Sequence, residues 1–419
     1  MRWDNMRKCE GAKRVAVIGG GLAGLSAANR LFELARERNE AIEVTLFEAG
    51  ARLGGLVGTE QIGEYLVDTG ADSFLTNKPA AVGLCRRLGI EDRLVATDAR
   101  YRGALVLREG RPLPIPEGFQ LLSPTAVFPV ITSPLFSVWG KVRLLAEWFI
   151  PRRQINAQNS THASEVEKGS NPAMIVDESL SDFVLRRFGR EALDRLIQPL
   201  VGGIYTADPE KLSLAATMPR FLEMERDHGS LIRASLSQKK KSRKRGTTAE
   251  STEDADSSSG ARYGLFAGLK GGMEDLVNAL RSKIESGCQV RLNCGVASIT
   301  ALDSFENGST DADSPRYLLR LSDGTEERFS AVVVAVSAAR MATILETLDS
   351  KLSAELRKFK YASSAIVVSG HRLSDIRDRL NAFGLVIPHS ERRRIIAVSF
   401  SSRKFPNRAP ADHVLLRTF

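Results

Sequence analysis

Short apolar runs alternate with amphipathic stretches at the start of the chain, and the alternation predicts strand, helix, strand. Arg14-Val15-Ala16-Val17-Ile18 is apolar and rich in β-branched residues, as a strand buried on both faces requires. Leu25, Ala28, Leu31, Phe32 and Ala35 then recur at helical spacing, and Ile42-Glu43-Val44-Thr45-Leu46-Phe47 restores a strand. Residues from about 77 to 231 read as helical with proline interruptions. Ser179 predicts a helix start there, with Asp182 near the exposed amides and Leu180, Phe183, Val184 and Phe188 on the buried side. A further helix is predicted over 273–284, followed by strands at 289–292, 317–321 and 331–336. Ser322-Asp323-Gly324-Thr325 reads as a turn between the last two of these strands. From Ala365 to Phe419 the pattern is mostly β, and it runs to the last residues as a strand.

The alternation of strands and helices places the chain in the α/β class. Its 419 residues exceed one ordinary core, so two domains are expected. Two polar stretches, 151–172 and 235–260, interrupt the pattern and read as insertions. Net charge is +9, and six positive charges sit in the run Lys239-Lys240-Lys241-Ser242-Arg243-Lys244-Arg245. No aromatics are interleaved with that run and an acidic, serine-rich tract follows it, so a solvated segment is expected and no nucleic-acid partner. The remaining basic charge suits an anionic substrate or membrane surface.

Four cysteines, Cys9, Cys85, Cys288 and Cys294, form no CxxC pair, which points to reduced thiols in a cytoplasmic protein. The five histidines are scattered, and no metal site is expected. No secretory signal precedes Arg14, and no apolar stretch reaches the length of a spanning helix. Residues 119–145 are rich in Leu, Val, Ile, Phe and Pro, with Trp139, Lys141 and Arg143. Two readings of that segment stand side by side: a buried lobe, or shallow insertion into the inner face of a membrane.

Chemistry concentrates in the first turn. Gly19, Gly20, Gly21, Leu22, Ala23 and Gly24 carry G-x-G-x-x-G between the strand and the helix. Such glycines permit a tight turn, close approach to a pyrophosphate and close helix–strand packing. The helix N-terminus adds free N–H groups and partial positive charge. Glu48 ends the second strand, where a carboxylate can accept from ribose hydroxyls and would repel a 2′-phosphate, so NADP is disfavoured. Beyond it, Ala49, Arg52, Gly54, Gly55 and Leu56 extend the signature with a phosphate-competent arginine and two more glycines. The extension suits a longer dinucleotide, FAD.

Glu48-Ala49-Gly50-Ala51-Arg52-Leu53-Gly54-Gly55-Leu56 resembles the extended FAD signature of the amine oxidase and phytoene desaturase superfamily. Four later stretches narrow the resemblance to the protoporphyrinogen and coproporphyrinogen oxidases. They are Asp68-Thr69-Gly70-Ala71-Asp72-Ser73-Phe74-Leu75, Gln198-Pro199-Leu200-Val201-Gly202-Gly203-Ile204-Tyr205, Gly268-Leu269-Lys270-Gly271-Gly272-Met273 and Phe400-Ser401-Ser402-Arg403-Lys404-Phe405. The resemblance implies a Rossmann-like FAD domain from discontinuous segments (13–76 and 264–340), a helical substrate or membrane lobe (77–263) and a mixed-sheet substrate domain (341–419). Related enzymes continue past residue 419, so it also implies truncation, with the closing segment of the FAD domain absent.

The implied reaction is FAD-dependent oxidation of a porphyrinogen to a porphyrin in heme biosynthesis, with O2 as acceptor, giving H2O2. No side chain is implied as catalyst. Leu56, Gly70, Ala71, Asp72 and Ser73 would run along the flavin, and the backbone of Val296 would meet the adenine. The Gly203 carbonyl would face the pyrrole N–H groups. Among basic candidates for a substrate propionate, Lys78 comes first, followed by Arg93, Arg100 and Arg102. A homodimer and peripheral membrane attachment fit the resemblance. Two alternatives stay open: another flavin amine oxidase or desaturase, and a non-catalytic binding protein on the same fold.

Overall fold

The computed structural model describes residues 12–76, 79–101, 103–116, 119–120, 123–124, 132–153, 177–205, 207–244, 266–285, 287–302 and 316–419. The chain divides into two compact units, Met1–Val95 with Ala267–Ser363, and Ala96–Phe266 with Ser364–Phe419.

In the first unit, β1 (Lys13–Ile18), α1 (Leu22–Arg38) and β2 (Ile42–Phe47) form the βαβ unit that the apolar spacing predicts. Both strands are parallel and central in a four-stranded sheet, flanked by Cys288–Arg291 beside β2 and Ala331–Val334 beside β1. Successive side chains point to opposite faces, and each face has its own core. Val15, Val17, Val44 and Leu46 pack with Leu25 and Ala28 of α1 and with Leu276, Val277 and Leu280 of the Glu274–Ile284 helix. Ala16, Ile18 and Phe47 pack with Ile299, Leu319, Leu321 and Phe329. The Phe47 and Phe329 rings meet edge to face at 5.8 Å. That second core comes from a three-stranded meander, Val296–Ala301, Tyr317–Leu321 and Glu326–Phe329. The turn at 322–325 therefore joins 317–321 to Glu326–Phe329, not to 331–336, and Ala331–Val334 goes to the parallel sheet instead. Charged Glu326, Glu327 and Arg328 concealed the intervening strand, which buries only Phe329.

The second unit contains a mixed six-stranded sheet in the order Val367–Arg372, His413–Thr418, Ala397–Phe400, Gly384–Val386, Leu105–Arg108, Arg111–Pro114. All its pairings are antiparallel except Gly384–Val386 with Leu105–Arg108. Residues 105–114 thus form a hairpin inside the stretch expected to be helical. Their apolar run is too short for a helix and pairs into the sheet.

Helices supply the rest of this unit. Leu180–Arg187 starts as predicted, with the Ser179 Oγ accepting from the Asp182 N–H at 3.0 Å and Leu180, Phe183, Val184 and Phe188 buried. A π-helical turn at Leu193–Ile197 leads into Gln198–Tyr205, where Pro199 lacks the N–H that would continue a regular ladder. Leu231–Lys244 is helical, so residues 235–244 do not belong to an insertion. Leu231, Ile232, Ala234 and Ser235 are buried in its first turns, and this packing carries the helix into the lysine run.

A buried ionic network pins these helices. Arg187 and Glu147 are both fully buried and hydrogen-bonded to each other. The Glu147 carboxylate also accepts from Ser230 Oγ at 2.6 Å and from the Leu231 and Ile232 N–H groups at 2.9 and 3.2 Å, so it caps the following helix. Arg187 further donates to the Gly229 and Ile150 carbonyls at 2.8 and 3.0 Å. Beside it, Arg186 holds Glu225 through two bonds of 2.6 and 2.9 Å and Glu178 through one of 2.7 Å.

Candidate dinucleotide site

The glycine turn lies at the carboxyl edge of the parallel sheet, between β1 and α1. Gly19 and Gly24 are glycines because of the chain itself. A Cβ on Gly24 would fall 1.8 Å from the Gly19 carbonyl oxygen, and one on Gly19 would fall 2.5 Å from that of Ala335. Gly21 is different. Its φ of −70° and ψ of 178° suit any residue, and an added Cβ would meet nothing nearer than the Gly55 Cα at 3.9 Å. The folded chain does not require a glycine there; a ligand approaching the backbone would. Gly21 is the N-cap of α1, with no side-chain cap and no acid in the first turn. The amides of Leu22, Ala23 and Gly24 thus open the helix, whose macrodipole favours an anion there. This cradle fits a diphosphate.

The second glycine pair docks against the first. The Gly54 N–H donates to the Gly20 carbonyl at 2.8 Å, and Gly21 and Gly54 form a parallel bridge. Gly54 has φ of +104° and a Cβ on it would clash with the Val57 carbonyl, so the turn needs glycine. Arg52 organises this turn. Its Nη1 donates to the Leu53 and Val57 carbonyls at 3.2 and 3.1 Å, and its Nη2 to that of Gly55 at 2.8 Å. The guanidinium is therefore directed at its own loop, where the sequence suggested a forked phosphate contact.

Glu48 closes β2 and faces both glycine segments. One carboxylate oxygen accepts from the Gly20 N–H and the other from the Gly50 N–H, each at 2.6 Å. Each oxygen keeps a second lone pair for a hydroxyl. The Glu48 carbonyl accepts from the Cys294 N–H at 2.8 Å, which draws the start of the Val296–Ala301 strand up to this corner. Gly295 approaches Ala49 there, and Val296 is buried with its carbonyl accepting from Arg340 at 3.3 Å.

Leu56, next to the exposed Gly55, is itself 90% exposed. A Cβ on Gly70 would fall 1.7 Å from the Leu56 carbonyl oxygen, so Gly70 passes directly alongside it. Ala71 is exposed, and the Ser73 hydroxyl donates to Asp72 at 2.7 Å. Sequence reasoning missed the support under this segment. Asp68, at the end of β4 (Tyr65–Asp68), accepts from the Met273 N–H at 2.8 Å and from the Thr59 hydroxyl at 2.7 Å. Thr59, starting β3 (Thr59–Ile62), exchanges bonds with Glu274 in both directions at 3.0 Å. The Glu274–Ile284 helix is thus capped by residues some 200 positions away, for which no local signal exists.

The remaining predicted residues are dispersed. Gly203 lies in the second unit on the Gln198–Tyr205 helix, exposed, with its open side toward Val386 and Ala397. It is within the last turn, whose carbonyls have no partner inside the helix. Lys78 and Arg102 fall outside the described residues. Arg93 pairs with Asp275 at 3.6 Å, and Arg100 pairs with Asp98 at 2.6 Å, so both cations have partners within the protein. Among the described residues no cluster of His, Cys, Asp or Glu could hold a metal, and no helix is long and apolar enough to cross a membrane.

A parallel sheet with a glycine cradle, an acidic strand end and a docked second glycine turn defines a dinucleotide-binding oxidoreductase fold. The chain belongs to the flavin-containing amine oxidoreductases, whose family model matches residues 22–419, and its cofactor is FAD. It is 30% identical over 410 residues to coproporphyrinogen III oxidase of Bacillus subtilis, covering 98% of this chain and 77% of that one. It is 27% identical to protoporphyrinogen oxidase 2 of Arabidopsis thaliana, covering 99% of this chain and 76% of the plant protein. A solved structure named as a candidate protoporphyrinogen oxidase, from Exiguobacterium sp. 255-15, superposes with a TM-score of 0.73 at 24% identity. It covers 97% of this chain and 76% of that one.

Proposed function

We propose that the chain oxidises a porphyrinogen to the corresponding porphyrin, with O2 as the terminal acceptor. The observation that carries this reading is the match, over nearly all of this chain and 76–77% of theirs, to coproporphyrinogen III and protoporphyrinogen oxidases, joined to a glycine cradle that the fold itself does not require at Gly21. When bound, FAD supplies the hydride acceptor for the substrate's methylene carbons. The protein's own part is positional. The amides of Leu22, Ala23 and Gly24 hold the diphosphate at the start of α1. Glu48, fixed by two backbone N–H groups, presents its remaining lone pairs to the ribose, and the Val296 backbone meets the adenine. Leu56 and residues 70–73 line the flavin ring, which removes the exposed leucine from water.

The first unit is then the FAD domain and the second the substrate domain, in which Gly203 offers its helix-end carbonyl to the pyrrole N–H groups. No side-chain acid or base is assigned to the chemistry. The test is aerobic incubation of FAD-loaded protein with coproporphyrinogen III and with protoporphyrinogen IX, following porphyrin fluorescence and H2O2. Porphyrin and peroxide should appear together, and the ratio of the two rates assigns the substrate. A flavin that neither porphyrinogen reduces under anaerobic conditions would refute the proposal.

A further inference from the structure

A cleft of about 490 Å³ opens in the second unit where three segments meet. They are the turn Ala146–Phe149 with the residues just after it, the end of the Pro219–His228 helix, and the first turn of Leu231–Lys244. The buried pair Arg187 and Glu147 fixes this frame from beneath. Arg187 donates to the Ile150 and Gly229 carbonyls at 3.0 and 2.8 Å, and both residues line the cleft. Glu147 precedes Trp148 in the chain and caps the helix that carries Arg233. The Arg153 N–H donates to Glu225 at 3.1 Å, which ties the 148–153 segment to the helix that carries Arg226. Gly229 closes that helix with φ of +72°, and open space lies where a Cβ would stand. Buried groups thus hold the cleft in shape, so a ligand entering it need not order its walls.

Trp148 and Phe149 form the apolar wall, and Phe149 is 81% exposed. Arg152, Arg226 and Arg233 bring three guanidiniums to the cleft, against one carboxylate, Asp227. Asp227 accepts from the Nε of Arg226 at 2.9 Å. The Arg233 guanidinium lies 5.1 Å over the Trp148 ring, and among the described residues no carboxylate pairs with it. A guanidinium held over a ring keeps its N–H donors for an acceptor. Arg152 reaches the Arg226 carbonyl at 3.5 Å and likewise has no ion pair among the described residues. Elsewhere in this unit Arg100, Arg186 and Arg187 are each claimed by a carboxylate. At this cleft, unclaimed guanidiniums converge beside an exposed aromatic ring.

We propose that this cleft binds a nucleoside polyphosphate, with its base stacked on Phe149 and its phosphates held by Arg152, Arg226 and Arg233. The planar fork of a guanidinium matches phosphate oxygens two at a time, and every nucleobase offers a π-face to an aromatic ring. Neither half of such a ligand satisfies the cleft alone. A bare polyphosphate leaves Phe149 in water, and an uncharged aromatic leaves the guanidiniums without an acceptor. The residues involved all belong to the second unit, whereas Gly21 and Glu48 belong to the first, so this site is not the flavin cradle. Nor does it rest on the oxidase reading. A bound nucleotide bridges the 148–153 segment and the junction of the two helices, and should raise the melting temperature.

The experiment titrates the FAD-loaded chain with ATP, with tripolyphosphate and with adenosine by calorimetry, with EDTA present to remove magnesium. ATP should fill one site per chain. Tripolyphosphate should bind at least about fivefold more weakly because it forgoes the stacking, and adenosine should not saturate. Phe149→Ser should bring ATP down to the level of tripolyphosphate and leave tripolyphosphate unchanged. Arg152→Gln and Arg233→Gln should each weaken both anions about tenfold, the loss of one charge-assisted contact. All three side chains are exposed, so the melting of the ligand-free variants should match the parent. Photolabelling of the unaltered protein with 8-azido-ATP should mark residues within 148–152 or 226–233, a readout that needs no variant. Equal affinity for ATP and tripolyphosphate, undiminished binding by the variants, or no binding at all would overturn the proposal. So would a photolabel placed elsewhere, or flavin released in step with ATP binding, which would put the nucleotide at the flavin cradle.

Discussion

Exchanging Gly21 and Gly24 for alanine, one at a time, separates what the fold needs from what the cofactor needs. Both glycines belong to the same motif and lie three residues apart. At Gly24 the new Cβ would sit 1.8 Å from the Gly19 carbonyl oxygen, and backbone must move to relieve it. Such overpacking costs about 3 kcal/mol or more in the apoprotein. At Gly21 the new Cβ finds only the Gly55 Cα, at ordinary van der Waals distance, and the backbone dihedrals are already those of a non-glycine residue. The apoprotein should therefore stay within about 1 kcal/mol of the parent, because the less flexible unfolded chain offsets alanine's weaker preference for the N-cap position. The same methyl group projects into the space assigned to the diphosphate. A steric penalty of about 1–3 kcal/mol there corresponds to FAD binding roughly five- to 150-fold weaker. Urea denaturation of the flavin-free variants measures the first quantity, and titration with FAD followed by quenching of flavin fluorescence measures the second. Gly21→Ala protein that melts normally and binds FAD as tightly as the parent would refute the placement of the cofactor.

Two further predictions concern the second unit. Arg187→Met leaves Glu147 buried without its guanidinium, although Ser230 and two backbone N–H groups still reach it. The loss should be about 3–5 kcal/mol in urea denaturation, because an uncompensated charge stays in the interior. Burial alone would raise the Glu225 carboxyl, but the hydrogen bonds and charge of Arg186, with help from the Arg153 N–H and Arg187, hold it below the ordinary carboxylate range. A group lowered on folding stabilises the protein above its unfolded value of about 4.3 and ceases to do so as pH falls through the lower folded value. Stability should therefore drop on acidification below about pH 4, and Glu225→Gln should flatten that part of the profile in thermal melts at stepped pH.

Much of this architecture is legible in the sequence because the signals are local. Val15 and Val17 against Ala16 and Ile18 mark a strand buried on both faces, and Ser179 marks a helix start, since each consequence lies within a few residues. What escaped the sequence depends on distant partners. Asp68 and Thr59 cap a helix that begins at Glu274, and no pattern around either residue announces it. The strand Glu326–Phe329 needs one buried side chain, too few for a period-two pattern to register. The helix Leu231–Lys244 runs into a lysine-rich stretch whose composition resembles a loop, and what holds it is the packing of its first turns on the core. At the site, the glycines and Glu48 could be read as a motif. The engagement of Arg52, Arg93 and Arg100 by groups inside the protein could not, because charge in a sequence says nothing about which partner has claimed it.

The interrupted build of the parallel sheet also has a cost during synthesis. β1 and β2 emerge early, but their outer neighbours, Cys288–Arg291 and Ala331–Val334, follow only after a long intervening stretch. From residue 47 to residue 288, at ribosomal speeds of about 5–20 residues per second, the delay is roughly 12–50 s. Throughout that interval two apolar strands stand with both edges unpaired, an invitation to misassociate on crowded polysomes. Production of this protein at high level should therefore be limited by chaperone supply during translation, whatever stability the finished molecule attains.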